Sequence, residues 1–377
     1  MAFFPFLGHI HLLDWDEVNF ALSSREMIES ANYLQVTVNG EPFWEKPPMF
    51  FWLQTVSFTL FDNIEFAARF VSALAGFLTT LLIFFMGRRI ISPGFGLIWG
   101  LLYSGSALSL FISKMGIMDP TLNLFVLGGI FAYSNMIIST DRSYLYALLA
   151  SASLAMAFLI KGPIAIVIPS IVFLLYFLFY AKNQFNLKHN IFFIMLLFIF
   201  STSWYVLESI RNGFWFIEQF IIYQFRLIST ADAGHKGFFL FHFVVFMLLC
   251  FPASTFFIKG FSKNWKSDDF SKIMALLFGV VMVIFFIVKT KIVHYSSLVY
   301  IPGCYFSALT IYQFAKLERT SLARLEWGLM GCSMTVYLIL TLMIPILINN
   351  PEAIIPFIHD VNVVETITQN ITWPLLG

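Results

Sequence analysis

Three acidic residues stand close together at the start of the first polar stretch of the sequence. Asp14, Asp16 and Glu17 fall within four positions. Apolar residues then recur at helical spacing from Phe20 to Ala31, which predicts an amphipathic helix with Asp16 as its N-cap. A cap needs one carboxylate, and adjacent carboxylates repel one another unless a cation or a substrate lies near them. The cluster therefore indicates either a helix cap or an acidic site that faces a cation or a substrate.

A second cluster combines charge with proline in the sequence Glu45-Lys46-Pro47-Pro48. Proline suits the first position of a helix, so we expect a second helix from Met49, with Lys46 just before it. Free backbone N–H groups and the helix dipole attract anions to a helix N-terminus, and a lysine adds a full charge. This pattern predicts a phosphate site. The alternative is that Lys46 only extends toward the membrane surface beside aromatic residues.

Single polar residues mark the ends of later apolar segments. Asp119 precedes a proline and Lys161 precedes Gly162-Pro163, although Asp also caps helices and Pro also begins them. His235 has no partner at metal-ligand spacing and is by itself more typical of a solvated loop. The remaining candidates of this kind are Tyr223, Arg226, Lys236, Lys289, Lys291, His294 and Tyr295.

The composition excludes most soluble folds. Hydrophobic residues make up 59% of the 377 and charged residues 11%, against about 45–50% and 25% in soluble domains. The net charge of +1 lacks the basic footprint of a nucleic-acid binder. The three cysteines lie in apolar segments without disulfide or zinc spacing.

The apolar segments predict an all-α, polytopic membrane protein. A spanning helix needs about 20 mainly apolar residues. Met1–Leu13 is too short to span, and we expect it to be the outer end of a first span whose beginning is missing, which gives about 10–11 transmembrane helices. The segments that meet or approach the required length lie near 66–86, 94–113, 120–138, 144–160, 162–180, 190–207, 238–258, 273–288, 292–314 and 327–348.

The distribution of Lys and Arg predicts the orientation. Basic residues are concentrated in the short loops of one side, which is the cytoplasmic side by the positive-inside rule. The longer loops at 14–65 and 208–237 and the tail 349–377 then face the periplasm or exterior of a bacterial inner membrane. We therefore expect a transmembrane domain over 1–348, with interfacial helices in an active-site loop at 14–65.

Together these motifs resemble the first loop and later loops of a known superfamily. It contains the bacterial aminoarabinose transferases and the protein mannosyltransferases, which have the GT-C fold. The resemblance covers about residues 14–310. The matching motifs are Asp16-Glu17, Ser24-Arg25-Glu26-Met27, Glu45-Lys46-Pro47-Pro48, Ala67-Ala68-Arg69, Met118-Asp119-Pro120, Lys161-Gly162-Pro163, His235-Lys236-Gly237 and His294-Tyr295.

The resemblance implies an enzyme that moves a sugar from a polyprenyl-phosphate donor to an acceptor at the outer face, with inversion at the anomeric carbon. It implies no required cofactor, with a divalent metal ion as an option, and no nucleic-acid partner. The acceptor, whether lipid A, another envelope glycan or a protein hydroxyl, and the sugar stay open. The implied site comprises Asp16, Asp119 and Glu17 as catalytic residues, Lys46, Lys161, Tyr295 and Arg226 at the donor phosphate, and Glu45 and His235 as metal ligands.

The sequence departs from this family in two places. Aminoarabinose transferases carry an Arg three residues after the catalytic Asp, and this position is Asn19; Arg25 or Arg226 could supply the missing phosphate contact. The chain also ends soon after its last predicted span, without the soluble C-terminal domain common in relatives.

Two other classes of function compete with the enzyme. A transporter or flippase of lipid-linked sugars would share the hydropathy, but should carry ionisable residues at mid-membrane depth. The predicted spans are almost free of them, which favours the enzyme. A non-catalytic assembly protein is distinguished only by whether the purified protein consumes a polyprenyl-phosphate sugar.

Overall fold

The computed structural model describes residues 2–13, 15–138, 142–181, 185–229 and 237–316, with six single positions between 328 and 339. This part of the chain is almost entirely helical. A two-stranded antiparallel hairpin, β1 (Thr37–Val38) and β2 (Glu41–Pro42), interrupts the first loop. The helices are α1 Trp15–Ser30, α2 Met49–Leu60, α3 Ile64–Ile90, α4 Pro93–Gly105, α5 Ala107–Ser113, α6 Asp119–Ile138, α7 Ser143–Lys161, α8 Ile164–Phe179, α9 Leu187–Asn212, α10 Trp215–Ser229, α11 Phe241–Leu249, α12 Ser254–Asn264, α13 Asp269–Ile287, a 3-10 helix Val293–Val299, and α14 Tyr300–Ala315.

The predicted all-α membrane fold is confirmed. Among the described residues, six helices are long and apolar enough to span a membrane, or up to eight if two bent helix pairs each count as one span. The predicted segment at 162–180 is the shorter apolar helix α8. The predicted span at 327–348, apart from six single positions, and the tail at 349–377 lie outside the described residues.

Two of the predicted spans are bent rather than straight. Helices α4 and α5 meet at 67°, and α11 and α12 meet at 112°. Ser106 lies at the first bend, where its hydroxyl donates to the Leu102 carbonyl. Pro252 lies in the second, where it cannot donate the N–H of a continuous helix. An unbroken apolar run hides both bends, because hydropathy reports composition and not direction.

The first loop contains the two expected helices, α1 and α2. Their apolar faces pack on the spans, since Phe20, Met27, Phe50 and Phe51 are buried in one cluster with Val71. The N-cap prediction for Asp16 is wrong, because α1 begins at Trp15 and Asp16 lies within its first turn. Both helices are therefore supported by the spans, and Lys46 lies three residues before the start of α2.

The N-terminal segment does not have the expected helical form. Residues 2–13 make turns and bends. Phe3 and Leu7 are buried in a small cluster with Ala73 of α3. The segment thus packs along the outer part of α3.

The pairing of α6 with α7 brings two distant motifs together. Since α6 begins at Asp119 and α7 ends at Lys161, packing of these sequential helices against each other places both residues at the same end of the pair. Helix α7 stops because Gly162 adopts a φ of +73°, a conformation that L side chains rarely take. A Cβ at this position would lie 2.4 Å from the Phe220 ring of α10, so glycine is also needed for this close approach.

Candidate active site

A buried ion pair forms the centre of the candidate site. Lys161 Nζ donates a hydrogen bond of 2.7 Å to Asp119 Oδ1. Asp119 is only 3% exposed, and Asp119 Oδ2 lies 3.7 Å from His294 Nε2. The Lys161 ammonium also lies 4.6 Å from the centre of the Tyr295 ring. A buried carboxylate is thus held among cationic and aromatic groups at the ends of two spans.

A second cation stands beside this pair, on the short segment before α2. Lys46 Nζ donates to the Tyr223 hydroxyl at 3.0 Å and lies 3.8 Å from Glu45 Oε2. The Arg226 guanidinium lies 5.1 Å from the centre of the same Tyr223 ring. Helix α10 therefore brings Tyr223 and Arg226 to the cation predicted at the start of α2.

Both lysines line one cavity of about 390 Å³, a size typical of ligand pockets. Its polar end carries Glu45, Lys46, Lys161 and Tyr295. Its body is apolar and runs between α6, α8 and α13. The remaining lining residues are Leu122, Asn123, Val126, Pro163, Ile164, Ala165, Val167, Ile168, Gln224, Ile284, Phe285, Ile287, Val288 and Leu298. The lining therefore combines two lysines with a largely apolar wall, which suits an anionic group attached to an apolar chain.

The two adjacent acids at the start of α1, Asp16 and Glu17, lie in different environments. Glu17 is 1% exposed and receives hydrogen bonds from Arg69 at both oxygens, 2.7 and 2.9 Å long. The backbone N–H groups of Leu13 and Gly116 donate to it as well. Its four donors come from the protein, and it is not among the cavity-lining residues.

Asp16 lies half-exposed on the first turn of α1 and does not line the cavity either. Its neighbour Glu17 contacts Gly116, three residues before Asp119. This contact places the start of α1 beside the start of α6. Of the predicted catalytic acids, then, Asp119 is buried beside Lys161, which lines the cavity, Asp16 is partly exposed on the first turn of α1, and Glu17 is enclosed.

Comparison with known proteins gives the same family that the motifs suggest. Residues 45–206 match the family model for dolichyl-phosphate-mannose-protein mannosyltransferase. The undecaprenyl phosphate-alpha-4-amino-4-deoxy-L-arabinose arabinosyl transferase 1 of Sodalis glossinidius is 24% identical over 291 residues, covering 74% of this chain and 51% of that protein. An uncharacterised protein of Aquifex aeolicus is 29% identical over 292 residues, covering 76% and 65%.

The fold agrees as well. The crystal structure of ArnT from Cupriavidus metallidurans bound to undecaprenyl phosphate matches with a TM-score of 0.77 at 22% identity, over 92% of this chain and 63% of that one. The chain has the GT-C fold of ArnT, and its sequence is similar to those of the arabinosyl transferases and the protein mannosyltransferases. This GT-C chain is a multi-pass membrane protein and spans between about half and two thirds of the length of these relatives.

The predicted metal ligands of the GT-C chain are not brought together in the described residues. Glu45 lines the cavity beside Lys46, whereas His235 lies outside the described residues. Within that described part, no group of three or more His, Cys, Asp or Glu side chains is arranged to hold a metal ion. A metal requirement stays a prediction.

Two polar residues of the cavity were not singled out from the GT-C sequence. Asn123 of α6 and Gln224 of α10 both line it. The signal for Asn123 is its position, one helical turn after Asp119 in a mainly apolar span, since polar residues in spans tend to be functional. Gln224 had no such signal, because α10 also contains Glu218, Gln219 and Arg226.

Proposed function

We propose that this GT-C protein is a glycosyltransferase that takes a sugar from a polyprenyl-phosphate carrier, of the undecaprenyl-phosphate type, and passes it to an acceptor at the outer face of a bacterial inner membrane. The observation that carries the proposal is the cavity lined by Lys46 and Lys161 together with apolar side chains of α6, α8 and α13. The ArnT structure, which contains undecaprenyl phosphate, and the arabinosyl transferase named above support the same class of donor.

The polar end of the cavity suits a phosphate leaving group. In the transfer, the bond between the anomeric carbon and the phosphate oxygen breaks, and its electron pair stays on the phosphate. Cations fixed at that position stabilise the developing negative charge. Lys46 and Lys161 are such cations, and the Tyr223 hydroxyl on Lys46 marks where a phosphate oxygen could bind.

Asp16 and Asp119 suit the other half of the reaction. The acceptor oxygen forms a bond to the anomeric carbon, and a hydroxyl acceptor must lose its proton to a base. We assign this base to Asp16, which is partly exposed on the first turn of α1. Asp119 holds Lys161 in place and adds negative charge close to the positive charge that develops on the sugar. If the acceptor is already an anion, such as a lipid phosphate, Asp16 instead orients the acceptor.

Asp16→Asn tests this assignment. The substitution keeps the size of the side chain and removes its basicity, so we expect transfer to be abolished while the protein stays inserted and folded. The matched control is Glu29→Gln, an exposed acid on the same helix that pairs with Arg25. Full transfer activity in Asp16→Asn would remove this residue from the mechanism.

The function itself is tested in two steps. Mass spectrometry of envelope lipids and glycoproteins from cells with and without the gene identifies the acceptor as the species that gains a sugar mass. The purified protein in nanodiscs is then given undecaprenyl-phosphate 4-amino-4-deoxy-L-arabinose or mannose with that acceptor, and release of undecaprenyl phosphate is measured. Movement of the intact lipid-linked sugar across a proteoliposome bilayer, without release of undecaprenyl phosphate, would identify a flippase instead.

A further inference from the structure

The 3-10 helix Val293–Val299 presents His294 and Tyr295 to the candidate site. It has seven residues, although 3-10 runs longer than three or four residues are uncommon because their hydrogen bonds are poorly aligned. Pro302 helps to explain why this segment is not part of the α-helix that follows it. A proline has no N–H to donate to the Leu298 carbonyl, so the regular α-helical hydrogen bonds cannot extend toward the N-terminus at this point. Proline does not fix the rotation of the turn, so other contacts must do so.

Two serines in the middle of this helix are held by side chains from two other helices. The Ser296 hydroxyl lies 2.9 Å from Nδ1 of His242 on α11. The Ser297 hydroxyl accepts a hydrogen bond of 2.9 Å from Nδ2 of Asn123 on α6. All four side chains are almost completely buried.

The serines directly follow the two residues that face the ion pair. His294 lies 3.7 Å from Asp119, and the Tyr295 ring lies below Lys161. A 3-10 helix has three residues per turn, so four successive side chains point in all directions around its axis. Any rotation of the turn that breaks the Ser296 or Ser297 contact also moves His294 and Tyr295.

Stability alone gives no reason for these polar contacts. Replacing both partners of a buried hydrogen bond by apolar groups of the same shape can leave stability nearly unchanged. A hydrogen bond between two buried side chains, by contrast, favours one geometry over others, because breaking it leaves unpaired polar groups in a dry interior, which is costly. Two such pairs on adjacent residues therefore favour a role in fixing orientation.

We propose that His242 and Asn123 are positioning residues, which clamp the 3-10 helix through Ser296 and Ser297 so that Tyr295 and His294 stay aligned on the Lys161–Asp119 pair. This proposal rests on the proposed function for its consequence in catalysis. Asn123 also lines the cavity, whereas His242 and the two serines do not, so they give the cleaner test.

The experiment compares Ser296→Ala, Ser297→Ala and their double variant with Asn190→Ala. Asn190 of α9 is a matched control, since it accepts a buried hydrogen bond from Tyr133 further along α6, five residues before that helix ends. Each protein carries a single 3-fluorotyrosine at position 295 and is studied in nanodiscs. The measurements are the ¹⁹F spectrum without substrate, the melting temperature, and kcat and KM for the undecaprenyl-phosphate donor.

If the clamp operates, the serine variants broaden or split the ¹⁹F line and lower kcat about ten- to a hundredfold, as small misplacements of catalytic groups do. In Asn190→Ala the ¹⁹F line stays single and kcat is unchanged, although its melting temperature falls about as much as in the serine variants. Ser296→Ala and His242→Phe should also be non-additive, since they remove the same contact.

The clamp is overturned if the ¹⁹F line stays sharp and single in the serine variants, or if their kcat falls no further than that of Asn190→Ala. The spectra do not depend on turnover. If the unaltered protein consumes no donor, the proposed function fails while the spectra still decide whether the clamp exists.

Discussion

Two buried ion pairs lie near the ends of the spans, and they differ in what surrounds them. Arg69 gives Glu17 a bidentate contact and donates in addition to the carbonyls of Leu7, Ile10 and His11. Lys161 gives Asp119 one hydrogen bond and also lines the cavity. The Glu17–Arg69 pair therefore has only protein groups as partners. In the Asp119–Lys161 pair, the lysine also faces the cavity, where a ligand could bind.

The difference teaches which buried charges are available for chemistry. Glu17 and Arg69 tie the N-terminal segment, α1 and the turn before α6 to α3, so their role is architectural. Asp119 and Lys161 are held by their neighbours, but Lys161 also lines the cavity. A charged pair near an active site is thus a functional candidate only when its hydrogen-bonding capacity is not already filled.

The largest expected effect comes from breaking the Glu17–Arg69 pair, which we call the enclosed pair because all its contacts are with protein groups. Arg69→Ala leaves Glu17 as an unpaired charge in a dry site and frees three carbonyls, so we expect a loss of about 3–5 kcal/mol in the free energy of unfolding. Thermal melting and the yield of folded protein in detergent would show it. The comparison fails if this variant melts normally and loses only activity.

The Asp119–Lys161 pair, which we call the open pair because Lys161 lines the cavity, should give the opposite outcome: lost activity with little loss of stability. The double variant Asp119→Asn with Lys161→Gln removes both charges together and leaves no unpaired ion, so we expect a small change in melting temperature. Transfer should fall about 10²–10³-fold, the typical cost of losing a group that stabilises transition-state charge. Near-normal kcat with an intact fold would make this pair structural as well.

The sequence predicted the elements better than the partners. Helices α1 and α2, the spans and the outer-face candidates Lys46, Asp119 and Lys161 follow from periodicity, proline position and apolar length. The sequence could not separate Asp16 from Glu17, because the difference depends on Arg69, which is 52 positions from Glu17. Only the packing of α1 on α3 brings those two residues together.

A third prediction concerns Lys46, whose contact with Tyr223 is neutral rather than ionic. Lys46→Ala should raise the apparent KM for the undecaprenyl-phosphate donor about tenfold, which corresponds to about 1.4 kcal/mol, with a smaller change in kcat. Lys289→Ala is the control, since this lysine is exposed close to the cavity but does not line it. An unchanged KM in Lys46→Ala, or an equal rise in both variants, would mean that Lys46 only extends toward the membrane surface.

The smallest effect is expected at Lys291, a cation with filled contacts that lies outside the spans. Its ammonium donates to the Phe285 and Phe286 carbonyls at the end of α13, and burial lowers its pKa below the usual lysine range. In the pH interval between this lowered pKa and the ordinary value, the unfolded chain binds more protons than the folded one. Stability from this group therefore rises with pH through that interval.

Melting temperatures measured from neutral pH up to about pH 10, near the ordinary lysine value, should show this small rise in the unaltered protein and lose it in Lys291→Met. Lys289→Met is the matched control, because its exposed ammonium should leave the pH profile as it was. If Lys291→Met keeps the rise, another group causes it. If Lys291→Met instead abolishes donor binding, Lys291 acts on the ligand, as we expect of Lys161, and is not a purely structural cation like Arg69.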